Sequence, residues 1–371
     1  MHSQHERYMY RCLQLAQMGQ GRVAPNPMVG AVLVYNDRII GEGWHRQYGG
    51  PHAEVNCIDS VKESDQHLIG DATMYVSLEP CAHFGKTPPC ADLLIKHQIK
   101  KVVVGCRDPF PLVAGKGIEK LQAAGCDVVV GVLEQDCLEL NKRFFCFHTL
   151  HRPYITLKWA QTGDGNIAGD AAFGNYIQAS NPSVTTAKRL LITGAQSNRL
   201  VHRWRSEEAG ILVGTQTALA DDPSLTTRLW PGPDPIRLVP DLHNRLPQHL
   251  KLFDGSVTTI VFSLTKHTLT DAARLRAAKG GVFYYQVTED VSLVHQVVNA
   301  LYQLQVQSLF VEGGAGMLQS FIDAGIWDEA RTITNESLNA LHGLPAPVLS
   351  HQQLQRMEQL DGDTIRYFRH L

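Results

Sequence analysis

His52-Ala53-Glu54 and, further along, Pro80-Cys81-Ala82-His83-Phe84-Gly85-Lys86-Thr87-Pro88-Pro89-Cys90 decide how the first part of this chain is read. One histidine and two thiolates are ligands of the kind zinc takes. Three protein ligands leave the fourth tetrahedral position for water. If His52 and Glu54 share the first turn of one helix, the glutamate faces that water without ligating the metal. Zinc lowers the pKa of the water. A glutamate so placed accepts its proton and returns protons to a ring nitrogen and departing ammonia, which is the division of labour in hydrolytic deamination. A helix that begins at Cys90 would also favour its thiolate. A structural zinc site is the weaker reading because only three ligands appear. Cys12, Cys57, Cys106 and Cys126 read as core residues.

Outward from this segment, the pattern alternates between element types. Helical periodicity over residues 5–18 precedes apolar strands at 29–35 and 38–43, with Asp37 at the turn between them. A helix begins around His52. Strands at 73–77, 101–105 and 127–132 are separated by helical patterns near 89–97 and 116–124, and Cys137–Leu150 reads as one aromatic-rich helix. Recurring strands with intervening helices predict a layered α/β domain.

Pro153 ends that first pattern, because proline cannot continue a helix and biases Arg152 toward extended backbone. The boundary is placed near 147–152, giving a first domain of 1–146 and a second of 152–371. All eight cysteines precede residue 147. The second part predicts strands near 154–160, 210–214, 236–240, 257–263, 281–286 and 308–312. Helices are expected around 197–208, 270–278, 292–304 and 316–324, with 221–235 as a Pro- and Asp-rich loop. No GxGxxG opening of a dinucleotide fold is present. Instead Val311-Glu312-Gly313-Gly314-Ala315-Gly316 follows an apolar strand and precedes a periodic helix. Glycines there permit close backbone approach, and the helix N-terminus can receive phosphate.

Asn26-Pro27-Met28-Val29-Gly30, then HAE, then PCAHFGKTPPC resembles the cytidine-deaminase-like superfamily, and more narrowly the pyrimidine deaminase of riboflavin biosynthesis. The broader superfamily has two residues between its cysteine ligands, whereas eight separate Cys81 from Cys90 here. The resemblance implies a three-layer α/β deaminase domain in which His52, Cys81 and Cys90 bind zinc and Glu54 shuttles protons. It places Asn26, His83 and Lys86 around the ring or the substrate phosphate. A lysine on a longer loop can approach a 5′-phosphate as a point charge.

The segments Leu157–Gly165, Ile211–Arg228 and Leu309–Gly316 together resemble the C-terminal reductase of the same family, whose α/β fold is like dihydrofolate reductase. That resemblance implies NADPH as coenzyme and reduction of a ribosyl group to ribityl. Arg205, Asp221, Arg228 and Glu312 are the implied substrate contacts, with Leu225 contributing its backbone. Gln161, Thr217, Asp221, Gly313 and Gly314 fall near the coenzyme. The chain departs from the family pattern at Phe110, Thr162-Gly163 and Leu191.

Net charge is -2. Residues 1–150 carry 15 basic and 16 acidic side chains, leaving 19 and 20 for the rest. Neither part offers the broad basic face that nucleic acid requires. No apolar run approaches a membrane span, no signal-type N-terminus appears, and free thiols suit the cytoplasm. A homodimer or higher homo-oligomer is compatible with the sequence. The expected activity is deamination of 2,5-diamino-6-(5-phosphoribosylamino)pyrimidin-4-one followed by NADPH-dependent reduction. The alternative is a nucleoside or RNA-base deaminase whose C-terminal domain is degenerate or has another specificity.

Overall fold

A computed structural model describes residues 3–82, 84, 88–109, 114–168, 190–340 and 343–371. The chain divides into two compact units, residues 1–151 and 152–371.

The first unit is built on a five-stranded sheet of order β2-β1-β3-β4-β5. Its strands are β1 (Gly30–Tyr35), β2 (Arg38–Trp44), β3 (Thr73–Leu78), β4 (Lys101–Cys106) and β5 (Asp127–Val130). β1 runs antiparallel to β2 and β3, while β3, β4 and β5 are mutually parallel. Successive side chains of a strand point to opposite faces. Ala31 and Leu33 accordingly pack with Ala53, Ile58, Leu94 and Leu121 on one face, and Val32 and Val34 with Met9, Leu13 and Cys137 on the other. Those partners come from helices α1 (Gln4–Gln17), α2 (Ala53–Asp59), α3 (Cys90–Lys96), α4 (Lys116–Ala123) and α5 (Glu134–Leu140). Helices on both faces make the three layers. Ser3 and Glu6 close the N-terminus of α1 with a capping box.

The aromatic-rich stretch expected as one helix is two, because Asn141 separates α5 from α6 (Lys142–Leu150) at φ -106° and ψ 20°. Helical periodicity passes through asparagine without a signal; the break comes from tertiary hydrogen bonding. Asn141 is buried, its Oδ1 accepts the Met28 N–H at 2.8 Å, and its Nδ2 donates to the Met28 carbonyl at 2.8 Å. Both polar groups of Met28 are thus satisfied by one side chain. Asn141→Ala is expected to cost about 1–3 kcal/mol, since it strands buried backbone groups. Urea unfolding of the variant against wild type measures this.

The second unit carries a nine-stranded sheet of order β11-β10-β9-β8-β12-β6-β13-β16-β15. Its strands are β6 (Tyr154–Thr162), β8 (Gly210–Leu212), β9 (Ile236–Pro240), β10 (Thr259–Ser263), β11 (Val282–Gln286), β12 (Ser308–Val311), β13 (Glu329–Asn335), β15 (Gln352–Leu360) and β16 (Asp363–His370). A separate small pair joins β7 (Asn166–Ala168) to β14 (Leu344–Pro345). The large sheet is parallel from β11 to β13 and antiparallel at its β13-β16-β15 end. Both faces are covered, with Leu157, Leu309 and Val311 on one and Val213, Phe310 and Ile333 on the other. Every strand expected from 154 to 312 is present within a few residues. The apolar pattern predicts none beyond 312, yet β13 to β16 follow. β15 is an edge strand exposed along most of its length, and its polar residues carry no alternation to read. The helix Thr215–Asp221, directly ahead of the expected loop, also went without a signal.

Among the described residues, no helix is long and apolar enough to cross a membrane.

Candidate active sites

β3 ends at Leu78 and delivers Glu79-Pro80-Cys81 beyond the carboxyl end of the parallel part of the sheet, where open α/β sheets place ligands. His52 is the N-cap of α2, in extended backbone, and Cys90 is the first residue of α3. Asn56 holds α2 in place by donating to the Trp44 carbonyl at 2.8 Å. The result brings the three ligand candidates together. His52 Nδ1 lies 3.3 Å from Cys90 Sγ and 3.6 Å from Cys81 Sγ, and all three ligand atoms fall within 4.8 Å of one another. Among the described residues the donor set is one imidazole and two sulfurs, three protein ligands, which fits a zinc ion with its fourth position left to water.

The Cys90 backbone N–H donates to Cys81 Sγ at 3.3 Å. The Cys90 thiol and then His52 pull the Cys81 thiol down to about 4 against the opposing effect of burial, so Cys81 is the readier thiolate of the pair. A bound zinc ion takes both sulfurs deprotonated. Glu54 is 3% exposed, on the first turn of α2. Burial, and next the Cys81 charge, push its carboxyl above the usual range. That direction suits a group that must hold a proton for part of a cycle.

Asn26 reaches this centre through a residue the sequence reading missed. His45 is 3% exposed and its ring stands edge-on to that of His52, with centroids 5.6 Å apart. Its Nδ1 lies 3.0 Å from the Pro51 carbonyl, an acceptor, so Nδ1 carries the proton. Nε2 is then the acceptor for the Asn26 side-chain amide at 3.1 Å. A lone histidine in Trp44-His45-Arg46 carries no spacing signal. His83, Lys86 and Phe110 lie outside the described residues.

In the second unit, strand register builds a second constellation. β12 lies between β6 and β8, with Val311 opposite Leu157 on one side and Leu212 on the other. Glu312, the next residue, therefore emerges level with Lys158. Its carboxylate meets Lys158 Nζ at 3.3 Å and takes a two-pronged hydrogen bond from Arg205, at 2.7 Å from Nε and 2.9 Å from Nη2. Burial pulls the Glu312 carboxyl upward, but Arg205 and then Lys158 outweigh it and hold it at about 2. Arg205 Nη1 donates to the Thr226 carbonyl at 3.0 Å, and Arg228, exposed, donates to Thr226 Oγ1 at 2.5 Å. The two arginines thus converge on one residue. Their charge, after burial, drives neighbouring His202 down to about 4. Lys158 is the member the sequence reading missed. It stands in an apolar strand, where a single lysine reads as a solvent-facing position.

Gly313 and Gly314 follow at φ 141° and 72°, backbone open to glycine and strained for other residues. A Cβ on Gly314 would stand 3.0 Å from Thr217 Oγ1 and 3.9 Å from Gly214 Cα. Gly214 donates its N–H to the Gly313 carbonyl at 3.3 Å. Gly314 is the N-cap of the helix Ala315–Asp323, so the first turn of that helix opens directly beyond the end of β12. Such a cradle can hold a phosphate. Leu225 is buried with φ 52°, a conformation rare outside glycine, in the loop that leads to Thr226. Asp221 ends the helix that begins at Thr215, and Gln161 accepts the Trp159 indole N–H at 2.7 Å.

The cytidine and deoxycytidylate deaminase zinc-binding region matches residues 2–106, and the RibD C-terminal domain matches residues 153–335. The riboflavin biosynthesis protein RibD of Aquifex aeolicus is 40% identical over 323 residues, 86% of this chain and 84% of that protein. This chain belongs to the RibD family. Its Escherichia coli relative is 34% identical, covering 88% of this chain and 86% of its own. Among solved structures, the Thermotoga maritima diaminohydroxyphosphoribosylaminopyrimidine deaminase/5-amino-6-(5-phosphoribosylamino)uracil reductase is 33% identical. It has a TM-score of 0.82 and covers 99% of both chains. Acinetobacter baumannii RibD is 31% identical, with a TM-score of 0.82 over 99% of this chain and 98% of its own. The RibD family joins a cytidine-deaminase-like zinc domain to a dihydrofolate-reductase-like domain, the fold class expected from the sequence.

Proposed function

We propose that this RibD-family enzyme deaminates 2,5-diamino-6-(5-phosphoribosylamino)pyrimidin-4-one and then reduces the ribosyl side chain of the product with NADPH. The observation that carries the reading is the convergence of His52, Cys81 and Cys90, with Glu54 buried beside them. His52, Cys81 and Cys90 would hold zinc, which when bound would lower the pKa of a water that attacks the amine-bearing C2. Glu54 takes one proton from the attacking water and hands it to the ring nitrogen, then takes the proton of the new C2 hydroxyl and hands it to the departing amine, which leaves as ammonia as the C2 carbonyl forms. Asn26, held by His45, offers its side-chain carbonyl to the pyrimidine. The family resemblance assigns His83 to the substrate and the charge of Lys86 to its 5′-phosphate.

In the second unit, NADPH supplies the hydride received at C1′ of the opened ribosyl group. Gly313 and Gly314 receive a coenzyme phosphate at the helix N-terminus, flanked by Thr217, with Gln161 and Asp221 nearby. Arg228, exposed beside Arg205, takes the substrate phosphate, while Leu225 contributes backbone groups. Glu312 fixes Arg205 and Lys158 so that the substrate meets an already ordered set of donors. Free thiols and near-neutral charge suit work in the cytoplasm on a small phosphorylated substrate, without nucleic acid or membrane.

Full-length protein is expected to release ammonia from the diamino substrate without coenzyme, and then to oxidise NADPH while forming the ribityl product. Deamination of cytidine or RNA alone would sink the substrate assignment. Ammonia release without any NADPH oxidation would sink the second half.

A further inference from the structure

Glu79 is a charged residue sealed inside the first unit, 4% exposed, immediately before Pro80-Cys81. Its carboxylate accepts backbone N–H groups from Gly117 at 2.9 Å and Ile118 at 3.4 Å on Oε1, and from Gly115 at 3.0 Å and Asp108 at 3.3 Å on Oε2. These bonds join the end of β3 to the residues after β4 and to the first turn of α4. Glu79 also donates its own N–H to the Cys106 carbonyl at 3.0 Å, continuing the pairing of β3 with β4. A buried carboxylate is costly to desolvate unless its lone pairs are filled, and backbone donors aimed at both oxygens meet that need.

A second feature locks the next residue. A Cβ built on Gly117 would stand 1.8 Å from the Pro80 carbonyl oxygen, so this peptide lies flush against the α4 backbone. Cys81 is held from its other side as well. Its carbonyl accepts the Ala91 N–H at 3.1 Å, and its sulfur accepts the Cys90 N–H.

We infer that Glu79 is a positioning residue for the zinc ligand Cys81: its carboxylate clasps the backbone of Gly115–Ile118 and thereby sets the direction from which Cys81 approaches the metal. The inference rests on reading His52, Cys81 and Cys90 as the zinc site. Residues that orient metal ligands through hydrogen bonds typically contribute tenfold to a hundredfold to metal affinity.

Glu79→Gln preserves shape but turns an amide N–H2 toward N–H donors. In the full-length protein its zinc affinity, measured by competition with a chelator, is expected to fall on the order of tenfold to a hundredfold. The absorption bands of the Co(II)-loaded variant should shift, and deaminase kcat should fall with little change in KM. A role in folding alone would lower the melting temperature and leave zinc affinity and the Co(II) spectrum of the folded protein as in wild type; that result overturns the inference. Where Glu79→Gln does not fold, Glu79→Asp, which keeps the charge but shortens its reach to the Gly115–Ile118 backbone, is judged by the same two readouts. Wild-type protein that takes up no stoichiometric zinc would instead remove the site reading itself.

Discussion

Glu54→Gln should lower ammonia release from the diamino substrate by about 10²–10⁴-fold, the usual contribution of a positioned proton-transfer group. Glutamine fills the same buried space on the first turn of α2, and His52, Cys81 and Cys90 themselves are unchanged. What disappears is the group that takes a proton from the attacking water and gives it up again. Zinc content should therefore equal wild type, and reduction of separately supplied deaminated substrate should continue at its ordinary rate. Ammonia release with zinc quantified in the same samples checks the prediction. A fully loaded variant deaminating at the wild-type rate would strip Glu54 of its role. The upward push of burial on this carboxyl gives the role its physical basis: a carboxylate in water gives up its proton too readily to return it.

The second large effect falls on stability. Glu312 lies between Arg205 and Lys158, with side-chain exposures of 9%, 12% and 11%. Glu312→Ala removes the carboxylate that Arg205 and Lys158 share. Breaking a buried ion pair from one side costs about 3–5 kcal/mol. The second unit should lose that much in urea unfolding. Tryptophan fluorescence follows it well, because four of the five tryptophans (Trp159, Trp204, Trp230 and Trp327) lie there. Reduction should be lost with it, and deamination kept.

The pH dependence has a definite sign. The Glu312 carboxyl sits at about 2 in the folded protein against an ordinary 4.5, because Arg205 and Lys158 overcome the penalty of burial. A depressed folded value means that the contribution is complete above about 4.5 and is lost as pH falls toward 2. The shift corresponds to about 3 kcal/mol. The gap between wild type and variant should accordingly be constant near neutrality and close over that acidic window. A gap that persists unchanged to the bottom of the window would mean the cost comes from a cavity rather than from charge.

The zinc cluster was legible from residue types and spacing alone. Few combinations of imidazole, thiol and neighbouring carboxylate recur at those positions for packing reasons. The strands were legible too, because apolar runs such as Val102–Val104 and Leu309–Val311 have to be buried wherever they occur. Asn141, His45, Glu79 and Lys158 were not. Each is a single polar residue whose role depends on a partner far along the chain: Met28, Asn26, the Gly115–Ile118 backbone and Glu312. Of these, Glu79 left the one readable trace, a carboxylate between an apolar strand and Pro80-Cys81.

Residue chemistry and hydrophobic period, which belong to the chain itself, determined the two-part α/β organisation and the ligand set His52, Cys81 and Cys90. Tertiary structure alone decided which polar groups share a buried space. Strand order puts β12 between β6 and β8, so Glu312 meets Lys158, and the pairing of β3 with β4 brings Glu79 to the start of α4. Away from water an unpartnered polar atom costs more than most single contacts return, so once the backbones are placed these side chains have no other stable arrangement.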